Sequence, residues 1–353
     1  MTTPSLASPG QIAANLPGIL GFYPNESLVF VTFTATDEPH QFSLGPVLRI
    51  DLDDFHVLND LAETLHSMEP ALVMGFIITT RPDEEICELI DTLILYRHMV
   101  DLPLDAAWVT PRILTGEVLT LGLAEEKLLD SSWARDVIAP VTAAQSMQPL
   151  LAQGELPELS REEMDAHFAH GNRFFTAQDC EQFTDFAVER AWDLCPSTYP
   201  ALVDDARLLI DEARDLPLTT LMGDEEVLLT VGTLLGTKEL RDLVAEDLLC
   251  DPVTGSLLML AVARTFHGEI RHNALCLYAL CSVELQLFMR ATHALLTACA
   301  EDPAHVLAGL LFPAAQHGQF RLMVSSVREG SLIVRSHHGI NEPPAVLEQG
   351  TAA

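Results

Sequence analysis

The sequence is short of positive charge, and of lysine above all. Lys127 and Lys238 are its two lysines among 19 basic residues, set against 51 Asp and Glu, for a formal net charge of −32. Arginine supplies the rest, so a Schiff-base or pKa-tuned catalytic lysine has almost no candidates. A chain this acidic avoids phosphate backbones and anionic lipid, which speaks against nucleic-acid and membrane partners and for basic partners or none. Imitation of nucleic acid towards a basic protein is compatible with the charge, but a solvated acidic surface is the simpler reading. Long apolar runs are missing too. The longest, Ala71–Ile78 and Leu257–Ala263, fall far short of the ~20 residues of a membrane span. No positive N-terminal region precedes an apolar core, so no signal peptide is expected and the protein is expected to be cytoplasmic. The seven cysteines (Cys87, Cys180, Cys195, Cys250, Cys276, Cys281 and Cys299) are odd in number and scattered. Most lie in helix-like apolar patterns, which predicts buried free thiols.

Catalytic signatures are also lacking. No Gly-x-Gly-x-x-Gly follows a strand, and the run from Gly232 to Lys238 fails the P-loop spacing. There is no Gly-x-Ser-x-Gly elbow and no Ser-x-x-Lys; Ser27, at a tight corner before a strand, reads as a turn residue and not as a nucleophile. His267-Gly-Glu269 begins a zinc-deaminase pattern, but the Pro-Cys-x-x-Cys half is missing, and Cys276 and Cys281 are wrongly spaced for one helix face. Glu63-x-x-His66 and Glu269-x-x-His272 have di-iron spacing but fall in different expected domains. Glu163, His167 and His170 share a helix face, with Glu163 already used as the acid of a capping box. Neither a metal nor a cofactor is expected.

What is present suits a sizeable core: 353 residues, 48% of them hydrophobic, enough for two domains or one large one. The chain is organised around Gly18–Phe33, the end of a helix, a Gly/Pro/Asn corner and then the buried strand Leu28–Phe33. Strands are predicted at Leu44–Leu52, Ala71–Thr80, Asp105–Thr110 and Gly116–Leu121, with helices capped by Ser8, opened near Asp53 and opened by Pro82. This alternation predicts an N-terminal α/β layered sheet domain over residues 8–125, mixed or mostly parallel. Residues 126–159 read as a connecting segment. An all-α domain follows over residues 160–312, with helices capped by Ser160, Thr176 and Thr237, and no strand is expected there or in the connection. Glu269–Leu311 reads as a tetratricopeptide-like hairpin, with Leu275, Ala279, Ala291, Leu295, Ala298 and Pro303 at matching offsets. In the tail, residues 313–353, Phe320–Val327 and Ser331–Arg335 suggest a short β-hairpin, and disorder is expected beyond His337.

The corner carries a resemblance. Leu20, Gly21, Phe22, Pro24, Ser27, Leu28 and Val29 resemble the opening signature of an actinobacterial family known as a domain of unknown function, the forty-one-ninety-two family. Pro149–Glu163 resembles that family's Gly-x-x-x-x-Ser-Arg-Glu linker, and Leu240-Arg-Asp-Leu243 with the helical hairpin is a third likeness. An aromatic, Cys/Pro-rich segment associated with many members after the fourth strand is not seen here. The resemblance implies the architecture and brings no activity.

In α/β sheets, ligands bind outside the C-terminal ends of the strands. Those ends offer Thr79, Thr80 and Arg81 before the Pro82 helix, and Trp108 and Arg112 at the end of the fourth strand. Two hydroxyls and an arginine beside a helix N-terminus would suit a small anion; alternatively Thr80 caps the helix and Arg81 pairs with a carboxylate. The leading expectation is a non-catalytic protein-binding or regulatory module acting through the acidic helical half. The alternative is a small-molecule site or enzyme at the sheet edge.

Overall fold

The computed structural model describes residues 8–36, 38, 41–124 and 132–340. The expected boundary at residue 125, Lys127 and the tail beyond residue 340 lie outside them. Two compact units divide the chain, Met1–Glu163 and Met164–Ala353.

In the first unit, α1 (Pro9–Leu20) starts as its sequence dictates, with the Ser8 side chain accepting from the Gln11 N–H and Pro9 leading the first turn. It stops at Gly21, whose φ of 78° is free of strain only in glycine and whose N–H donates to Pro17 O. Strands β1 (Ser27–Ala35), β2 (Phe42–Asp51), β3 (Leu72–Ile78), β4 (Ala106–Thr110), β5 (Val118–Ala124) and β6 (Arg135–Val137) form one sheet in the order β2-β1-β3-β4-β5-β6. Helices α2 (Leu58–Ser67) and α3 (Asp83–Met99) close one core, where Leu58, Leu65, Leu89 and Leu93 meet Leu28, Phe30 and Ile77. The sheet is mixed. Its parallel character is confined to β3 and β4, and the other four pairings are antiparallel. Apolar residues on both faces mark a central strand whatever the direction of its neighbours, so burial could not reveal that direction.

The segment expected as a bare connection supplies β6 and a short helix, α4 (Gln148–Ala152). β6 escaped notice because it is three residues long and carries Arg135 and Asp136 at the sheet edge. Helix α5 (Arg161–His167) crosses the division between the units.

The second unit is all-helical among its described residues: α6 (Ala177–Asp193), α7 (Tyr199–Ala213), α8 (Leu218–Leu221), α9 (Glu225–Leu234), α10 (Lys238–Cys250), α11 (Pro252–Thr265), α12 (Gly268–Glu284), α13 (Phe288–Glu301), α14 (Val306–Gln316) and α15 (Phe320–His337). Thr176 and Thr237 cap α6 and α10 as expected. Every residue of α12 from Ile270 to Val283 is buried, so α12 is the axis around which α11, α13 and α10 pack. α11 reaches close to α10 at Gly255, where a Cβ would meet Leu248 O at 2.6 Å.

The expected tail hairpin is corrected: Phe320 to His337 form one helix. Its inward positions include Met323, Ser331 and Arg335, at multiples of four residues. Two of those three are polar, which hides the helical hydrophobic period in the sequence. The cysteines are all free; Cys180, Cys276 and Cys281 are buried, whereas Cys87 and Cys195 are exposed, against the expectation for most of them.

Candidate functional site

The pairing of β1 decides what stands at the predicted sheet edge. Ser27 lies opposite both Asp51 and Ile78, and Ile78 lies beside Thr110. The C-terminal ends of β2, β3 and β4 are therefore level with the N-terminal end of β1, and the corner before β1 overhangs the candidate residues.

From that corner Glu26 reaches into the site. Its φ of 42° is left-handed, a conformation uncommon for a residue with a Cβ. Its carboxylate accepts from the Thr79 hydroxyl at 2.8 Å, the Thr80 N–H at 3.0 Å and Arg81 Nε at 2.9 Å. Arg81 also donates to Asp53 at 2.8 Å. Burial alone would raise the Glu26 pKa, but the bonds from Thr80, Thr79 and Arg81 outweigh it and hold the carboxyl below its ordinary range. The positions an external anion would use are thus occupied by an internal one. Thr80 does not cap α3: the cap position is Pro82, without a side-chain bond.

Thr79, Thr80 and Arg81 are brought together; Trp108 and Arg112 are not part of that group. Trp108 is fully buried, stacks on Phe76 with ring centroids 5.8 Å apart and donates its indole N–H to Trp133 O at 2.7 Å. An enclosed, satisfied indole is core and offers no surface to a ligand. Arg112 is 69% exposed in its side chain and pairs with Glu117 at 3.0 Å.

The corner residues hold a second arginine. Arg49 donates through Nε to Ser27 Oγ at 2.9 Å, bonds Asp51, and lies over the Phe22 ring at 5.8 Å. Ser27 Oγ also donates to Asn25 O at 2.6 Å, so the hydroxyl is fully committed and fully buried, as a turn residue should be and a nucleophile should not. Tyr23 N–H donates to Glu158 O and Glu158 N–H donates to Gly21 O, and Pro24 is buried. Glu26, Arg49 and Asp53 went unnoticed in the sequence. The one local signal was an acidic residue flanked by Asn25 and Ser27 where glycine would relieve strain.

The Glu163, His167 and His170 helix-face group disperses. Glu163 accepts from the Leu159 N–H, His167 lies 3.1 Å from Arg290, and His170 stacks on His267 at 3.8 Å. Among the described residues no three His, Cys, Asp or Glu side chains are grouped to hold a metal ion, and no helix is long and apolar enough to cross a membrane. An apolar pocket lined by Ala206, Ile210, Val231, Leu235, Leu258 and Met259 has a volume of ≈ 10 Å³, space for about one water molecule.

With this geometry in hand, the class of the molecule is a mixed-sheet α/β unit joined to an all-helical unit, with a corner signature built around Arg49 and Glu26. The chain belongs to the family described as Domain of unknown function (DUF4192), whose model matches residues 9–319. No curated protein and no solved structure matches it.

Proposed function

We propose that the chain is a non-catalytic binding or regulatory module that engages a protein partner through its acidic helical half. Glu26 carries this reading: its carboxylate already satisfies Thr79, Thr80 and Arg81, the groups that an anionic substrate at the sheet edge would need. Helix α6 adds support. Trp192 is 75% exposed and Phe186 52% exposed on a helix that also displays Glu181, Asp185, Glu189 and Asp193. Aromatic anchors among carboxylates suit a basic protein surface, and the net charge of −32 disfavours nucleic acid and membranes. The α12–α13 hairpin, with Ala279, Ala291 and Ala298 buried, is tetratricopeptide-like in this reading. The setting is cytoplasmic.

Native mass spectrometry of protein purified gently from its own host tests the reading. A polypeptide at fixed stoichiometry, retained by an Arg81→Ala/Arg112→Ala variant, is expected. A small added mass, lost on denaturation and absent from that variant, would replace this reading with a small-molecule site at the sheet edge. A bare monomer would count against both.

A further inference from the structure

Helix α14 begins at Val306 with His305 as its cap. The His305 Nδ1 accepts the Ala308 N–H at 3.2 Å. A backbone N–H can only donate, so Nδ1 carries no proton and the neutral ring must carry its own on Nε2. Nε2 faces Asn273 Oδ1 at 3.3 Å and the Glu269 carboxylate at 3.6 Å. Asn273 is itself oriented, because its Oδ1 accepts from Arg241 Nη1 at 2.9 Å and its Nδ2 donates to Leu235 O at 2.9 Å. One tautomer of one charge state satisfies this arrangement. An imidazolium would point an N–H at the Ala308 N–H and lose the cap.

The surroundings of His305 oppose a proton on balance. The ring is 4% exposed. From α10 it faces Arg241, which is bound to Asp242; from α12 it faces Glu269, His272, Asn273 and the Cys276 thiol, whose Sγ is 3.9 Å from Nδ1. From the end of α13 it faces Asp302, while Glu301 and Asp302 flank His272. Burial, helped by Arg241 and His272, outweighs the attraction of Glu269 and Asp302 and holds His305 below the ordinary histidine range.

We propose that His305 is a proton-operated latch, which caps α14 while neutral and releases the first turn of α14 from α12 when it gains a proton. An exposed histidine titrates near ~6.5. Since the capped ring binds its proton less readily than the released one, the cap is fully present above that pH and is lost progressively below it.

Amide hydrogen exchange at Ala308 and Gly309, corrected for intrinsic rates, tests the latch between pH 8 and 5. In the wild type, protection should be constant above neutrality, and the opening constant should rise by up to about tenfold per pH unit below ~6.5. His305→Asn, whose side-chain oxygen caps without titrating, should hold protection level over the same range, and His305→Ala should show low protection at every pH. A parallel acid loss in wild type and His305→Asn would overturn the latch. Nitrogen NMR of the wild-type imidazole at pH 7.5 decides without any variant: a proton on Nε2 alone is expected, and a proton on Nδ1 would sink the proposal.

Discussion

At the sheet edge of the first unit, Glu26 and Arg81 meet with 33% and 23% of their side chains exposed; in the second unit, Asp247 and Arg335 meet with 3% and 1%. The chemistry is the same and the energetic meaning is opposite. Partly hydrated groups give up little solvation, so their pairing adds about 1 kcal/mol or less. Fully enclosed groups have surrendered their water, and each depends on its partner to offset that loss. The second unit carries many such groups because α12 is enclosed on all sides, so Arg271, His272 and Asn273 in its first turns had to be partnered. Arg271 bonds Ala263 O, Phe168 O and Glu301, and Asn273 bonds Arg241 and Leu235 O. Charge decorates the first unit and is built into the second.

The largest test of this contrast is Arg335→Met. It strands Asp247 with Arg207 as its remaining partner and should lower unfolding stability by about 3 kcal/mol. Adding Asp247→Leu should restore most of the loss in urea titrations, since an apolar pair of similar volume needs no water. Failure of the double variant to recover would mean that the pair specifies packing beyond its charges.

A second effect, spread over pH, is centred on His167. Burial, then Arg290 and Arg264, push its pKa down to about 3. An unfolded histidine takes up its proton near ~6.5 and the folded one does not, so stability is complete above that pH and falls as pH drops towards 3. The His167 share of the slope is about 1.4 kcal/mol per pH unit in that window, and His167→Gln should lower the slope by that amount. Equal slopes in denaturation curves of the two proteins would refute the assignment.

A smaller difference separates two changes at one position. Glu26→Ala loses the carboxylate's bonds and keeps the left-handed backbone, whereas Glu26→Gly loses the bonds but relieves the strain. The glycine variant should be more stable by about 1 kcal/mol in thermal melts. Smallest of all, Arg112→Ala should change stability by less than about 0.5 kcal/mol, because Arg112 is itself the exposed end of its pair with Glu117. A large effect there would show that the sheet edge is a built site after all.

Much of the frame was legible in residue order. The apolar runs of β1 and β3, the caps Ser8, Thr176 and Thr237, and the corner at Gly21 all act through neighbours a few residues away. Thr79, Thr80 and Arg81 are neighbours in the chain and stand together at the sheet edge, but the group that fills their hydrogen bonds, Glu26, has no local mark. Glu26 stands 55 positions from Arg81, and nothing local to either residue marks the other. Helix α15 was hidden for a related reason: Ser331 and Arg335 face inward because Glu246 N–H and Asp247 await them from α10. His305 likewise looks like an ordinary residue after Pro303 until Asn273 and Arg241 surround it.

By itself the sequence determined the acidic surface, the positions of most helices and strands, and the mixture of an α/β unit with a helical one, because charge, turn chemistry and hydrophobic period are properties of short stretches. The tertiary structure alone decided the directions of strand pairing, the filling of the sheet edge by Glu26 and the groups that surround His305. Those depend on which distant groups the folded chain brings within hydrogen-bonding reach.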